Sequence, residues 1–257
     1  MRNIICLILL GIGLNSCQQV NDQNKKIKNT FSTKETKNKR ADRDSVVIKK
    51  IFYEKSKALK KEITVKNNKK NGIAKEYYPD GKLRTVVNYV DNLKEGKTIW
   101  YHKNGKAYRV TPYKKGKMHG IRKTYYQNGK IQAKIPYKEG ELQEGTVEYD
   151  EKGNIIKHKP EIIFKTQDLG QHSGNYVLQL SLSKEYSKVQ FFEERTALNG
   201  EKMRVRINTR FGVGTLNFYV SRDESKKEDV KIYAKFNTRL HTPVLIYANY
   251  KFASTNK

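Results

Sequence analysis

Apolar and polar positions alternate with period two over most of the chain beyond residue 46, and glycine-bearing tetrads interrupt the alternation at a fixed step. The tetrads Pro79-Asp80-Gly81-Lys82, Lys103-Asn104-Gly105-Lys106, Gln127-Asn128-Gly129-Lys130 and Glu151-Lys152-Gly153-Asn154 recur every 24 residues. After the first three, Leu83/Ala107/Ile131, Val87/Thr111/Ile135 and Tyr89/Tyr113/Tyr137 fall on one face, and Arg84, Tyr108 and Gln132 on the other. Before the turns, Ile73 and Ile121 read in phase with the column Tyr77, Tyr101, Tyr125. Alternation on both sides of an Asp-Gly or Asn-Gly pair predicts a β-hairpin, because these residues tolerate positive φ. A fixed period means one such unit copied in file. The tyrosine columns then read as the stacked spine of the file.

Smaller features refine the register. Gly72, Gly96 and Gly120 are expected to make the reversal into the next copy, with Gly145 displaced by one through an insertion near Glu144. Pro112 and Pro136 share a slot where a ladder donor must be dispensable. A worn first copy sets Tyr53, Leu59, Ile63 and Val65 24 residues before Tyr77, Leu83, Val87 and Tyr89.

Beyond Pro160 the period ends while alternation continues through Tyr176–Leu182, Met203–Ile207, Val230–Phe236 and Val244–Phe252. Short strands at this spacing predict an antiparallel β-sandwich-like domain. The expected fold class is all-β: a tandem hairpin array over 46–159, then a sandwich over 160–257.

Charge changes the picture more than composition does. The chain has 53 Lys and Arg against 26 Asp and Glu, a formal net of +27. From Gly96 to Lys138 the bases are Lys97, Lys103, Lys106, Arg109, Lys114, Lys115, Lys117, Arg122, Lys123, Lys130, Lys134 and Lys138, with no acid among them. Glu139, Glu141, Glu144, Glu148, Asp150 and Glu151 follow at once. Screening acts over about 8 Å at physiological salt, so neighbouring cations still sum to a strong local field. The stripe is therefore a candidate anion- or partner-binding face, with Trp100, Tyr108 and His102 as aromatic companions.

The N-terminus sets the compartment. Met1-Arg2-Asn3 precedes an apolar run, Ile4 to Leu14, that is too short to span a membrane and reads as an export signal. The tetrad Leu14-Asn15-Ser16-Cys17 resembles the lipobox of bacterial lipoproteins, which implies cleavage after residue 16 and lipidation of Cys17. Several acyl chains give stable attachment. The expected address is the cell envelope, on the periplasmic face of an outer membrane. Residues 17–45 hold few large apolar side chains and read as a disordered tether. An exported protein meets nucleic acid seldom, so an acidic protein or an anionic lipid or polysaccharide of the envelope is the expected partner, beside the membrane itself.

The repeated pattern Tyr-Tyr-x-Asn-Gly-Lys, clearest in Gly120-Ile121-Arg122-Lys123-Thr124-Tyr125-Tyr126-Gln127-Asn128-Gly129-Lys130, resembles the MORN repeat variant over about residues 48–157. That resemblance implies a scaffold of hairpins that binds protein or phospholipid. It also implies kinship with YwqK-type antitoxins, which makes toxin neutralisation the alternative function.

Catalytic and cofactor signals are absent from the pattern. The five histidines stand alone, without the spacing of a metal site. Gly212-Val213-Gly214 lacks the third glycine and the helix of a phosphate loop. Glu193 and Glu194 are adjacent on a strand and so face opposite ways. A non-enzymatic binding protein without cofactor is the expectation.

Overall fold

The computed structural model describes residues 45–169 and 173–256. The signal segment, Cys17 and the tether up to residue 44 lie outside the described residues, as does His172. Those described form strands, turns and loops.

The array is one large antiparallel sheet. Its strands are β1 Val46–Phe52, β2 Leu59–Lys66, β3 Lys69–Tyr77, β4 Leu83–Val90, β5 Leu93–Lys94, β6 Gly96–Tyr101 and β7 Ala107–Lys114. They continue as β8 Lys117–Met118, β9 Gly120–Tyr125, β10 Ile131–Lys138, β11 Glu141–Leu142, β12 Val147–Tyr149 and β13 Ile155–Ile156. Spatial order follows chain order, β1-β2-β3-β4-β6-β7-β9-β10-β12-β13, with β5, β8 and β11 as short extensions on β4, β7 and β10.

Two kinds of turn alternate along it. The long turns are those of the glycine tetrads: Gly81, Gly105 and Gly129 donate to the carbonyls of Tyr78, His102 and Tyr126 at 2.9 Å. Asp80, Asn104 and Asn128 accept from the backbone N–H two residues on, at 3.1, 3.0 and 2.9 Å. The tight turns were not legible as such. The reversals into the next copy occur at Asn67-Asn68, Asp91-Asn92, Lys115-Gly116 and Glu139-Gly140, where both residues have positive φ. Two successive left-handed residues match the right-handed twist of the flanking strands.

Gly72, Gly96 and Gly120 therefore do not make the reversals. They lie a few residues further on, within bulges, at φ between 71° and 104°. Between the pairs Tyr89↔Lys94 and Val86↔Ile99, for example, one strand advances three residues and its partner five. The expected insertion near Glu144 is also absent. Tyr113↔Met118 and Val110↔Lys123 recur 24 residues later as Tyr137↔Leu142 and Lys134↔Val147, so only the glycine has moved.

The C-terminal strands are β14 Ile162–Asp168, β15 Asn175–Leu182, β16 Ser187–Thr196, β17 Lys202–Arg206, β18 Thr209–Arg210, β19 Val213–Tyr219, β20 Ser225–Asn237 and β21 Pro243–Thr255. They make two four-stranded sheets, β14-β15-β19-β18 and β17-β16-β20-β21. Leu178, Leu180 and Phe218 of the first meet Phe191, Ile232, Ala234 and Phe252 of the second in one buried core. The rings of Phe218 and Phe252 stack at 4.3 Å. Gly214 is needed for this closeness, since a Cβ there would lie 2.8 Å from Cδ2 of Phe191.

The array and the sandwich share a smaller core. Ala133, Ile135 and Leu142 of β10 and β11 pack with Tyr233 and Leu245 from the outer face of the second small sheet. Arg204 Nη1 donates to the carbonyl of Leu142 at 3.0 Å, and Thr146 Oγ1 to that of Pro243 at 3.2 Å. Glu148, 1% exposed, closes the seam: Thr238 Oγ1 donates to its Oε1 at 2.8 Å, and His158 Nε2 lies 2.6 Å from its Oε2.

A candidate anion-binding face on the hairpin array

Directly paired residues share a face of a sheet, so the register sorts the basic stripe. One row runs Thr85↔Trp100↔Arg109↔Thr124↔Ala133↔Glu148. This is the docked face, because Ala133 and its neighbour Ile135 enter the core shared with the sandwich. The row beside it, Val86↔Ile99↔Val110↔Lys123↔Lys134↔Val147, lies on the open face.

The twelve bases accordingly do not form one patch. Arg109 and Arg122 stand on the docked face, Arg122 opposite Ile135. Lys123 and Lys134 oppose each other on the open face, where the alternation of their strands also places Lys97, Lys114, Lys117 and Lys138. Lys115 sits in a tight turn, and its N–H donates to Glu95 Oε2 at 2.8 Å. Lys103, Lys106 and Lys130 sit at the long turns. Lys106 Nζ donates to the carbonyl of Asn128 at 3.0 Å and Lys130 Nζ to that of Lys152 at 3.2 Å, so two of these charges staple successive copies.

The docked-face arginines are unusual. The Arg109 guanidinium lies over the Trp100 ring at 4.0 Å and within 5.7 Å of the Tyr108 ring. Arg122 lies over Tyr137 at 5.2 Å. Neither arginine has a carboxylate partner among the described residues. Arg109 Nε, Arg122 Nε and Thr124 Oγ1 are buried and make no hydrogen bond. The Arg122 pKa is lowered, chiefly by burial, with the charge of Arg109 adding to the effect. Tyr137 is pushed up by burial, against the pull of both arginines. Two like charges half-withdrawn from water beside orphaned donors are costly to hold. They complement an anion that brings acceptor oxygens, because guanidinium groups bind carboxylate or phosphate with geometric specificity.

Of the expected aromatic companions, Trp100 and Tyr108 stand with Arg109. His102 is otherwise engaged: its Nε2 is 3.2 Å from the carbonyl of Tyr125, and its ring meets Tyr108 edge-on at 5.1 Å. It belongs to a ladder that the sequence reading missed. Tyr53, Tyr78 and Tyr126 donate to the carbonyls of Tyr77, Tyr101 and Tyr149 at 2.7 to 2.8 Å, and His102 fills the same rung. The recurrence of a ring with a polar tip at 78, 102 and 126 was the available signal. Ile73 and Ile121 keep the expected phase with the tyrosine column. Tyr77 donates to Glu62 Oε2 at 2.9 Å, and Glu62 pairs with Lys75, which lies two residues from both Ile73 and Tyr77 on the same face. The register shifts before the long turns give the following strands one extra residue each, Arg84, Tyr108 and Gln132, and Ile73 and Ile121 are exposed.

The acidic end is largely structural. Glu148 is the seam carboxylate, Glu139 Oε1 lies 3.0 Å from His119 Nδ1, and Asp150 accepts from Asn154 N and Nδ2 at 2.8 and 3.0 Å. These bonds hold the Asp150 carboxyl below the usual aspartate range. A cleft of about 1140 Å³ opens beside the seam, between Tyr126, His158, Tyr186 and Arg239. No cluster of three or more metal-ligating side chains occurs among the described residues.

With this geometry in view, the comparison with known families is specific. Residues 70–91, 94–115 and 118–139 match the MORN repeat variant. Each matched segment covers a long-turn hairpin, β3–β4, β6–β7 or β9–β10, and the matched ranges stop short of β1–β2 and β12–β13, which continue the same sheet. No curated protein and no solved structure matches the chain.

Proposed function

We propose that this chain is a non-enzymatic binding protein of the cell envelope, tethered by a lipid on Cys17, whose MORN-like array captures an acidic protein on its docked face. The observation that carries the reading is the pair Arg109 and Arg122, with buried donors that lack an acceptor and no neutralising carboxylate. MORN-type arrays are commonly involved in binding, which supports the reading. An acidic protein is favoured over a lipid surface because the sandwich forms a wall next to Arg122, through the core around Ile135. A recessed site admits protruding carboxylates, whereas a flat bilayer meets the open face with Lys123 and Lys134. Under the alternative implied by the YwqK-type resemblance, the acidic partner is a toxin.

Two double charge reversals test this. Arg109→Glu with Arg122→Glu is expected to abolish salt-sensitive capture of the acidic partner from solubilised envelopes, while Lys123→Glu with Lys134→Glu leaves it in place. Loss of binding to anionic vesicles only in the second variant, with the first unaffected in every assay, would move the function to the open face and to lipid. Growth rescue on co-expression with a candidate toxin checks the alternative.

A further inference from the structure

The array ends differently at its two extremities. Its C-terminal strands are packed against the sandwich through a shared core. At the other extremity stands β1, whose inner edge pairs with β2 from Val46↔Lys66 to Phe52↔Leu59 and whose outer edge has no strand beside it among the described residues. Every residue of β1 is exposed, and five of its seven side chains are large and apolar. Val46 is 60% exposed, Ile48 58% and Phe52 52%. Alternate residues of such a strand present unpaired N–H and C=O groups outward. Terminal units of repeat arrays usually carry a polar cap, and edges are usually shortened, bent or interrupted by proline. The strand VVIKKIF is protected only by two lysines at its centre and by a register shift between Ile51 and Phe52 at its end.

The lysines decide what can add there. In an antiparallel self-pair with full overlap, Lys49 faces Lys49 of the second copy, and a one-residue slip sets Lys49 against Lys50. Directly opposed like charges destabilise a strand pair. A second copy is therefore disfavoured at full overlap. A strand with two acids at its centre and apolar flanks meets Lys49 and Lys50 with opposite charges and covers the apolar ends on both faces. We infer that β1 is a strand-addition site for an extended segment of another protein, apolar at both ends and acidic in the middle. This surface is separate from the docked face, and does not rest on the function proposed above.

The test uses the full-length chain and two labelled peptides, TVIEEIVT and TVIKKIVT. Anisotropy is expected to show the acidic peptide binding about tenfold or more tighter, from two opposed charge pairs changed from attraction to repulsion. Hydrogen exchange of amides 46–52 slows only when that peptide is bound. The variant Lys49→Glu with Lys50→Glu reverses the preference, which a mere loss of folding cannot do. Equal binding of both peptides would reduce β1 to nonspecific apolar adhesion. A concentration-dependent dimer with amides 46–52 protected in the absence of peptide would assign the edge to a second copy. Either result overturns the inference.

Discussion

Replacing Arg122 by methionine separates a binding arginine from a structural one. The aliphatic stem stays, so packing against Tyr137 is kept, while the charge and the orphaned Nε are removed. A buried donor without a partner costs roughly 1–3 kcal/mol. Against that, the contact with the Tyr137 ring contributes about 0.5–1 kcal/mol at a half-exposed site. Relief of repulsion from Arg109 acts in the same direction as the first contribution. The net expectation is a gain of about 1 kcal/mol, or a rise in Tm of about 2–4 °C for a chain of this size. Urea unfolding at low salt measures it, and the gain should shrink as salt screens the two guanidinium groups. A loss of more than about 2 kcal/mol would refute the reasoning, because it would mean that Arg122 has partners that stabilise the fold.

Other expectations follow from single contacts. Glu148→Ala removes a buried carboxylate and strands His158 and Thr238, so urea unfolding should show a loss of about 3 kcal/mol, and a loss below about 1 kcal/mol would remove the seam from the account. Gly214→Ala drives a methyl into the Phe191 ring and should cost about 1–3 kcal/mol, with weaker near-ultraviolet dichroism as a second readout. Carbon NMR should show Asp150 titrating below ordinary aspartates, and Asn154→Ala should return it toward the usual range. Because the folded pKa is depressed, its contribution to turn stability is present above the unfolded pKa and is lost as pH falls through the folded one.

The array was legible because its signals are local. Alternation on both sides of Asp80-Gly81, Asn104-Gly105 and Asn128-Gly129 names the hairpins within a few residues. The tight turns at Asn67-Asn68 and Asp91-Asn92 carried two conventional turn residues each and were outweighed by the conspicuous Gly96 and Gly120, which serve bulges instead, while Lys115-Gly116 and Glu139-Gly140 carry only one. The basic stripe looked continuous in one dimension because the chain visits both faces in turn. Residues 122 and 123 are neighbours in sequence and belong to opposite surfaces, and only the register shows this. The seam of Glu148, His158 and Thr238 left no trace in the sequence. Its members are 10 and 90 residues apart, and their pairing depends on how the sandwich docks.

Those two neighbouring surfaces also provide the most direct test. A photo-reactive side chain placed at Thr124, beside Arg109 on the docked face, is predicted to crosslink to an acidic protein in intact cells, and one placed at Lys123 is predicted not to. Crosslinking from position 123 with silence at 124, or adducts with lipid alone, would contradict the claim that the docked face of the array is where the partner sits.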